Sequence, residues 1–133
     1  MNCCCRISCL ALGLGASIIL GIVAALLRIT AIITVTPAFL WTVFGIAIVY
    51  LALTFLTSAR VACEGAKICI CRRSGLLLGG ILGTILTSVI LLAISFPATS
   101  LIGAVITGLL IFFFSLMITT IACIIRCLVC MCE

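Results

Sequence analysis

Four apolar runs of 21 to 25 residues occupy most of this chain. The first, ISCLALGLGASIILGIVAALL, covers residues 7–27 and is closed by Arg28. The second covers 38–59 and is closed by Arg60. The third covers 74–94, and the fourth covers 101–125 and is closed by Arg126. A helix needs about 20 mostly apolar residues to cross the hydrocarbon layer. A segment in lipid must also satisfy its backbone polar groups internally, which an α-helix does. The runs predict an all-α, multi-pass integral membrane protein with four transmembrane helices. Composition argues against a soluble globule, because only 7% of residues are charged where a soluble domain carries about 25%.

Punctuation between the runs is consistent with this. Thr36-Pro37 reads as a helix start, with Thr as N-cap and Pro in the first turn. Pro97 and Ser100 mark a similar start before the fourth run. The connections 28–37 and 95–100 are short, which leaves no room for a domain between those spans. Residues 60–73 are expected to form a basic central loop. Arg6, Arg60, Lys67, Arg72, Arg73 and Arg126 fall on the side that holds both termini and this loop, and only Arg28 falls on the other. The excess of Lys and Arg on one side predicts cytoplasmic N- and C-termini. The first run is too long for a cleaved signal peptide and lacks a clear cleavage site, so it is expected to stay in the membrane.

An offset of 66 residues partly overlays the chain on itself. Cys3, Cys5 and Arg6 fall on Cys69, Cys71 and Arg72, Gly13 falls on Gly79, and Arg60 falls on Arg126. The expected organisation is one membrane domain, 1–133, built as two tandem helical hairpins. Residues 1–66 would form the first hairpin and 67–133 the second, as a parallel repeat.

Small residues recur every fourth position in the first run (Cys9, Gly13, Ser17, Gly21, Ala25) and in the third (Gly75, Gly79, Gly83, Thr87). Such rows let helix backbones approach closely, and in lipid that packing drives association. Gly13, Ser17, Gly21, Gly75, Gly79 and Gly83 are therefore expected packing residues, and spans one and three the expected inner helices or oligomer contacts. The fourth run carries a weaker row of Gly103, Thr107, Ser115, Thr119 and Cys123, and Phe112-Phe113-Phe114 reads as packing or lipid-facing bulk.

No Asp, Glu, Lys, Arg or His lies inside a run, and the chain has no histidine. That argues against a proton-coupled transporter, whose path needs intramembrane ionisable groups. No catalytic triad, carboxylate pair or phosphate loop is present, so no enzymatic activity and no small-molecule substrate are expected. The net charge of +5 sits at span ends, without a basic stripe interleaved with aromatics, so no nucleic-acid partner is expected.

Eleven cysteines remain to be explained, and almost all lie outside the span interiors. Four readings compete. Cysteines beside basic residues at a membrane face are typical S-acylation sites, which makes Cys3, Cys4, Cys5, Cys9, Cys127, Cys130 and Cys132 lipidation candidates. Cys69-x-Cys71 and Cys127-x-x-Cys130-x-Cys132 have ligand spacing, so a thiolate-bound metal such as Cu(I) or Zn could use Cys69, Cys71, Cys127, Cys130 and Cys132. Cross-linking between chains would require an oxidising compartment. Cysteine also behaves as a small hydrophobe and can simply decorate helix ends. The expected function is a structural or interaction role as a scaffold or complex subunit, anchored or regulated by cytoplasmic cysteines. Its partners would be the lipid bilayer, copies of itself and other membrane proteins. The alternative is a channel or thiol-dependent metal transporter.

Overall fold

The computed structural model describes residues 4–32, 34–60, 64–94 and 100–132. Side chains are described for residues 9, 11–32, 34–56, 75–94 and 100–126. The described chain is all-helical. Helix α1 spans Cys4–Ile29, α2 spans Pro37–Arg60, α3 spans Glu64–Ala93 and α4 spans Leu101–Cys132. All four are long and apolar enough to cross a membrane, through Ala11–Ile29, Pro37–Leu56, Gly75–Ala93 and Leu101–Arg126.

The helix ends follow from local chemistry. Pro37 opens α2, and Thr36 caps it: its Oγ1 accepts from Phe39 N at 3.4 Å and its carbonyl accepts from Leu40 N at 3.2 Å. Ser100 does the same for α4, accepting at Oγ from Gly103 N at 3.4 Å and at its carbonyl from Ala104 N at 3.0 Å. Helix α1 stops in a Schellman turn. Ala31 N donates to Arg28 O at 3.0 Å and Ile32 N to Leu27 O at 3.1 Å, with Ala31 at φ 57°. An L-residue in this left-handed region is strained, and glycine is the usual occupant.

One expectation is corrected here. Most of the central loop 60–73 is helical, because α3 begins at Glu64. The stretch EGAKICICRR contains no proline and carries an acidic residue at its start, which suits the positive end of a helix. With 30 and 32 residues, α3 and α4 are about 45 Å long. Each therefore exceeds a hydrocarbon layer of about 30 Å.

The principal packing runs α1 on α4, α4 on α3, and α3 on α2. The neighbours are antiparallel. Cys9 of α1 meets Cys123 of α4, and Gly80 of α3 lies against Met117 of α4. Leu91 of α3 clusters with Leu40 and Val43 near the start of α2. The inner helices are α3 and α4, with 39% of their spans buried against 17% for α1 and α2. Spans one and three are thus not the inner pair, because α1 uses one narrow face and leaves Leu12, Ile19, Ile22 and Leu26 outward.

The core lies between α2, α3 and α4. One cluster joins Leu40, Val43, Leu91 and Leu110, and a second joins Leu77, Ile81 and Met117. Consecutive helical residues point about 100° apart, so three successive phenylalanines can all be half-buried only on a helix with neighbours on several sides. On α4 they are. Phe112 Cβ faces Gly21 of α1, the Phe113 ring covers Gly83 of α3, and Phe114 packs against both core clusters.

Candidate functional site

The α1–α4 seam holds much of the polar chemistry of the described bundle. Its construction begins with glycine. A Cβ on Gly21 would lie 3.0 Å from Gly108 O, and a Cβ on Gly108 would lie 2.8 Å from Gly21 O. The two backbones touch because neither residue has a side chain. About two turns along, a Cβ on Gly13 would lie 3.1 Å from Thr119 Cβ. Between these contacts Ser17 is fully buried. Its hydroxyl donates to Gly13 O at 2.8 Å and stands 3.2 Å from Ser115 Oγ, so two hydroxyls 98 residues apart share a hydrogen bond.

Each end of the seam closes with a specific pair. At one end Cys9 and Cys123 form a disulfide, with Cα atoms 6.2 Å apart and a sequence separation of 114. Gly13, Leu14, Leu116, Thr119 and Thr120 join the two cysteines around a crevice of about 10 Å³, room for about one water molecule. At the other end the Arg28 guanidinium donates through Nη1 to Thr107 Oγ1. The Thr107 hydroxyl in turn donates to Gly103 O at 2.8 Å. Arg28 is 8% exposed, and Thr107 is buried.

The remaining buried hydroxyls serve their own helices. Thr84 donates to Gly80 O at 2.7 Å, Thr87 to Gly83 O at 2.7 Å, Ser88 to Thr84 O at 2.7 Å and Thr120 to Leu116 O at 2.6 Å. Among the described residues no buried side-chain nitrogen or oxygen is left without a partner. This back-bonding lets a hydroxyl sit in an apolar bundle without a desolvation penalty.

The expected packing residues divide. Gly13, Ser17 and Gly21 lie in the α1–α4 seam, and Gly83 lies under the Phe113 ring, where an added Cβ would come within 2.6 Å of it. Gly75 and Gly79 have nothing within 4 Å of a Cβ, whereas a Cβ on Gly80, which has no place in the row, would lie 3.3 Å from Met117 N.

Among the cysteines, Cys9 is bonded and is therefore not a free thiol here. Cys4 and Cys5 begin α1, Cys69 and Cys71 lie in the first turns of α3, and Cys127, Cys130 and Cys132 lie in the last turns of α4. Antiparallel packing brings these helix positions to one end of the bundle. The side chains of these residues lie outside the described ones, and Cys3 and Cys63 lie outside the described chain. Among the described residues no group of three potential metal ligands comes together.

Two features of the seam escaped the sequence reading: the Cys9–Cys123 pair and the burial of Arg28 against Thr107. The signal for the first was present. Reading Cys9, Gly13 and Ser17 forward and Cys123, Thr119 and Ser115 backward aligns cysteine with cysteine and small residue with small residue. Comparison with known protein families, with curated proteins and with solved structures found no match.

Proposed function

We propose that this chain is a non-enzymatic membrane subunit with a structural or interaction role, and that its cysteine-rich end anchors or regulates it. The observation that supports this best is the use made of the buried hydroxyls. A conducting path through the chain would line a lumen with Ser, Thr and Gly. Here Ser17, Thr84, Thr87, Ser88, Thr107 and Thr120 all donate to carbonyls of their own helices, and the seam glycines are in backbone contact. The α1 row of Gly13, Ser17 and Gly21 is therefore taken up by packing on α4 and not by a lumen. In this reading both termini are cytoplasmic, the Cys9–Cys123 bond at that end is sheltered from cytosolic reductant by the packed seam, and the two halves of the chain descend from one hairpin.

The cysteines outside the disulfide supply the attachment. Cys3, Cys4, Cys5, Cys127, Cys130 and Cys132 are the acylation candidates. A metal set of Cys69, Cys71, Cys127, Cys130 and Cys132 belongs to the alternative, thiol-dependent transport.

Reconstitution separates the two. The purified chain in liposomes is expected to pass Cu(I), Zn²⁺ and monovalent ions no faster than empty vesicles, and to hold less than one metal ion per chain. On native gels from mild detergent it is expected to run as an assembly. Metal flux that disappears when the five candidate ligands become serine would refute the structural role and establish the carrier.

A further inference from the structure

Arg28 is the buried cation among the described side chains, whereas Arg126 is exposed. A guanidinium withdrawn from water needs a counter-charge or a full set of acceptors. The described residues supply neither. The carbonyls at the end of α1 are already occupied: Leu26 O and Leu27 O accept from the Thr30 hydroxyl at 3.1 Å, and the Schellman amides take Leu27 O and Arg28 O. The side chain turns away from its own helix end and reaches α4, where it finds one neutral hydroxyl, that of Thr107.

Among the described residues no carboxylate stands near Arg28. Its two acidic residues are Glu64 and Glu133. Glu64 opens α3, whose far end lies level with Arg28 through the Leu91–Leu110 contact. The distance along the helix is about 40 Å. Glu133 lies outside the described residues.

Among the described residues, Nη1 alone of the Arg28 nitrogens has a partner. Because no fully buried side-chain nitrogen among the described residues lacks a partner, Nε and Nη2 must keep a path to the surroundings. These two atoms form the guanidinium edge that receives two oxygens of one oxyanion in parallel. The Thr107 bond tethers the group through Nη1 and leaves that edge unused by α4. Arg28 is next to last in its membrane span, which puts it at the depth where hydrocarbon gives way to phosphate headgroups.

We propose that Arg28, held by Thr107, is a binding site for a phosphate anion at the end of the bundle opposite the cysteines. The phosphate comes from a phospholipid headgroup or from free phosphate in the adjoining water. The site does not depend on any role for the cysteines.

The test uses the full chain, purified and delipidated in a neutral maltoside detergent, with thermal unfolding followed by far-UV circular dichroism. Phosphatidylglycerol, diacylglycerol without a phosphate, inorganic phosphate and chloride of matched ionic strength are added in separate arms. Wild-type protein is expected to gain about 5 °C with a phosphate-bearing additive near saturation, and nothing with diacylglycerol or chloride. A shift with phosphatidylglycerol alone identifies the lipid as the source, and a shift with inorganic phosphate identifies the free anion. Arg126→Gln is expected to keep the shift and Arg28→Gln to lose it. If Arg28→Gln does not fold, Arg28→Lys, which keeps the charge without the two-nitrogen edge, is expected to show half the shift or less. The proposal is overturned if phosphate-bearing additives act no differently from their controls, or if the Arg28 variants respond like wild type.

Discussion

Gly108→Ala tests the seam at its tightest point. The added methyl would lie 2.8 Å from Gly21 O and 3.0 Å from Ala25 Cβ, where ordinary contact begins at 3.4 Å. Neither obstacle can rotate away, because one is backbone and the other is a Cβ fixed to it. Helix α1 must therefore move off α4 by about half an ångström, and a gap of that order forfeits about a quarter to a half of each affected dispersion contact. Overpacking of this kind costs about 1–3 kcal/mol. Alanine also has a higher helix propensity than glycine, worth about 1 kcal/mol at most. The proper reference is thus Gly79→Ala, which gains the same propensity at a position with nothing within 4 Å. The propensity term cancels between the two variants, leaving Gly108→Ala less stable than Gly79→Ala by about 1–3 kcal/mol. Equilibrium unfolding in mixed micelles of increasing dodecyl sulfate content, followed by far-UV circular dichroism, measures the difference. If the two variants unfold within about 0.5 kcal/mol of each other, the α1–α4 contact is not as close as described and the reasoning fails.

Three further predictions concern the same region. Cys123→Ser should lower stability by about 2–4 kcal/mol, because the lost bond closes a loop of more than a hundred residues; maleimide-polyethylene glycol counting should find two more reactive thiols in wild type after reduction than before. A double-mutant cycle on Ser17→Ala and Ser115→Ala should return a coupling of about 0.6 kcal/mol and no more than about 1.7 kcal/mol, and a value indistinguishable from zero would mean that the 3.2 Å approach carries no bond. Ala31→Gly should stabilise the chain by about 1 kcal/mol by relieving the positive φ of the α1 cap, whereas a loss of stability would contradict the left-handed turn.

Much of the architecture was legible because it depends on local properties. Runs of apolar residues, Thr36-Pro37 and Ser100 each act through a residue and its near neighbours, and each produced the span or helix start expected of it. The row of small residues on the fourth run was legible too, but not its partner. Rows on spans one, three and four look alike as text, and the structure sets Gly13 and Gly21 against α4 while leaving Gly75 and Gly79 open. Hydrophobicity does not discriminate among them, since lipid tails are as apolar as leucine and only fit between surfaces selects a pair. Phe112-Phe113-Phe114 shows the same limit. A lipid-facing wedge and a central one read identically until α4 is known to have neighbours on several sides.

Arg28 marks the boundary most clearly. Its sequence position says that it ends a span, where a long cation normally reaches for water. Its burial against Thr107, 79 residues away, depends on α4 lying beside α1 with the right register. The sequence by itself determined the four spans and their helical state, because transfer into lipid and backbone satisfaction are summed residue by residue along each run. Tertiary structure alone decided that the first and last helices meet, with Cys9 on Cys123, Gly21 on Gly108 and Arg28 on Thr107. Those choices depend on steric fit between surfaces far apart in the chain, which no single run encodes.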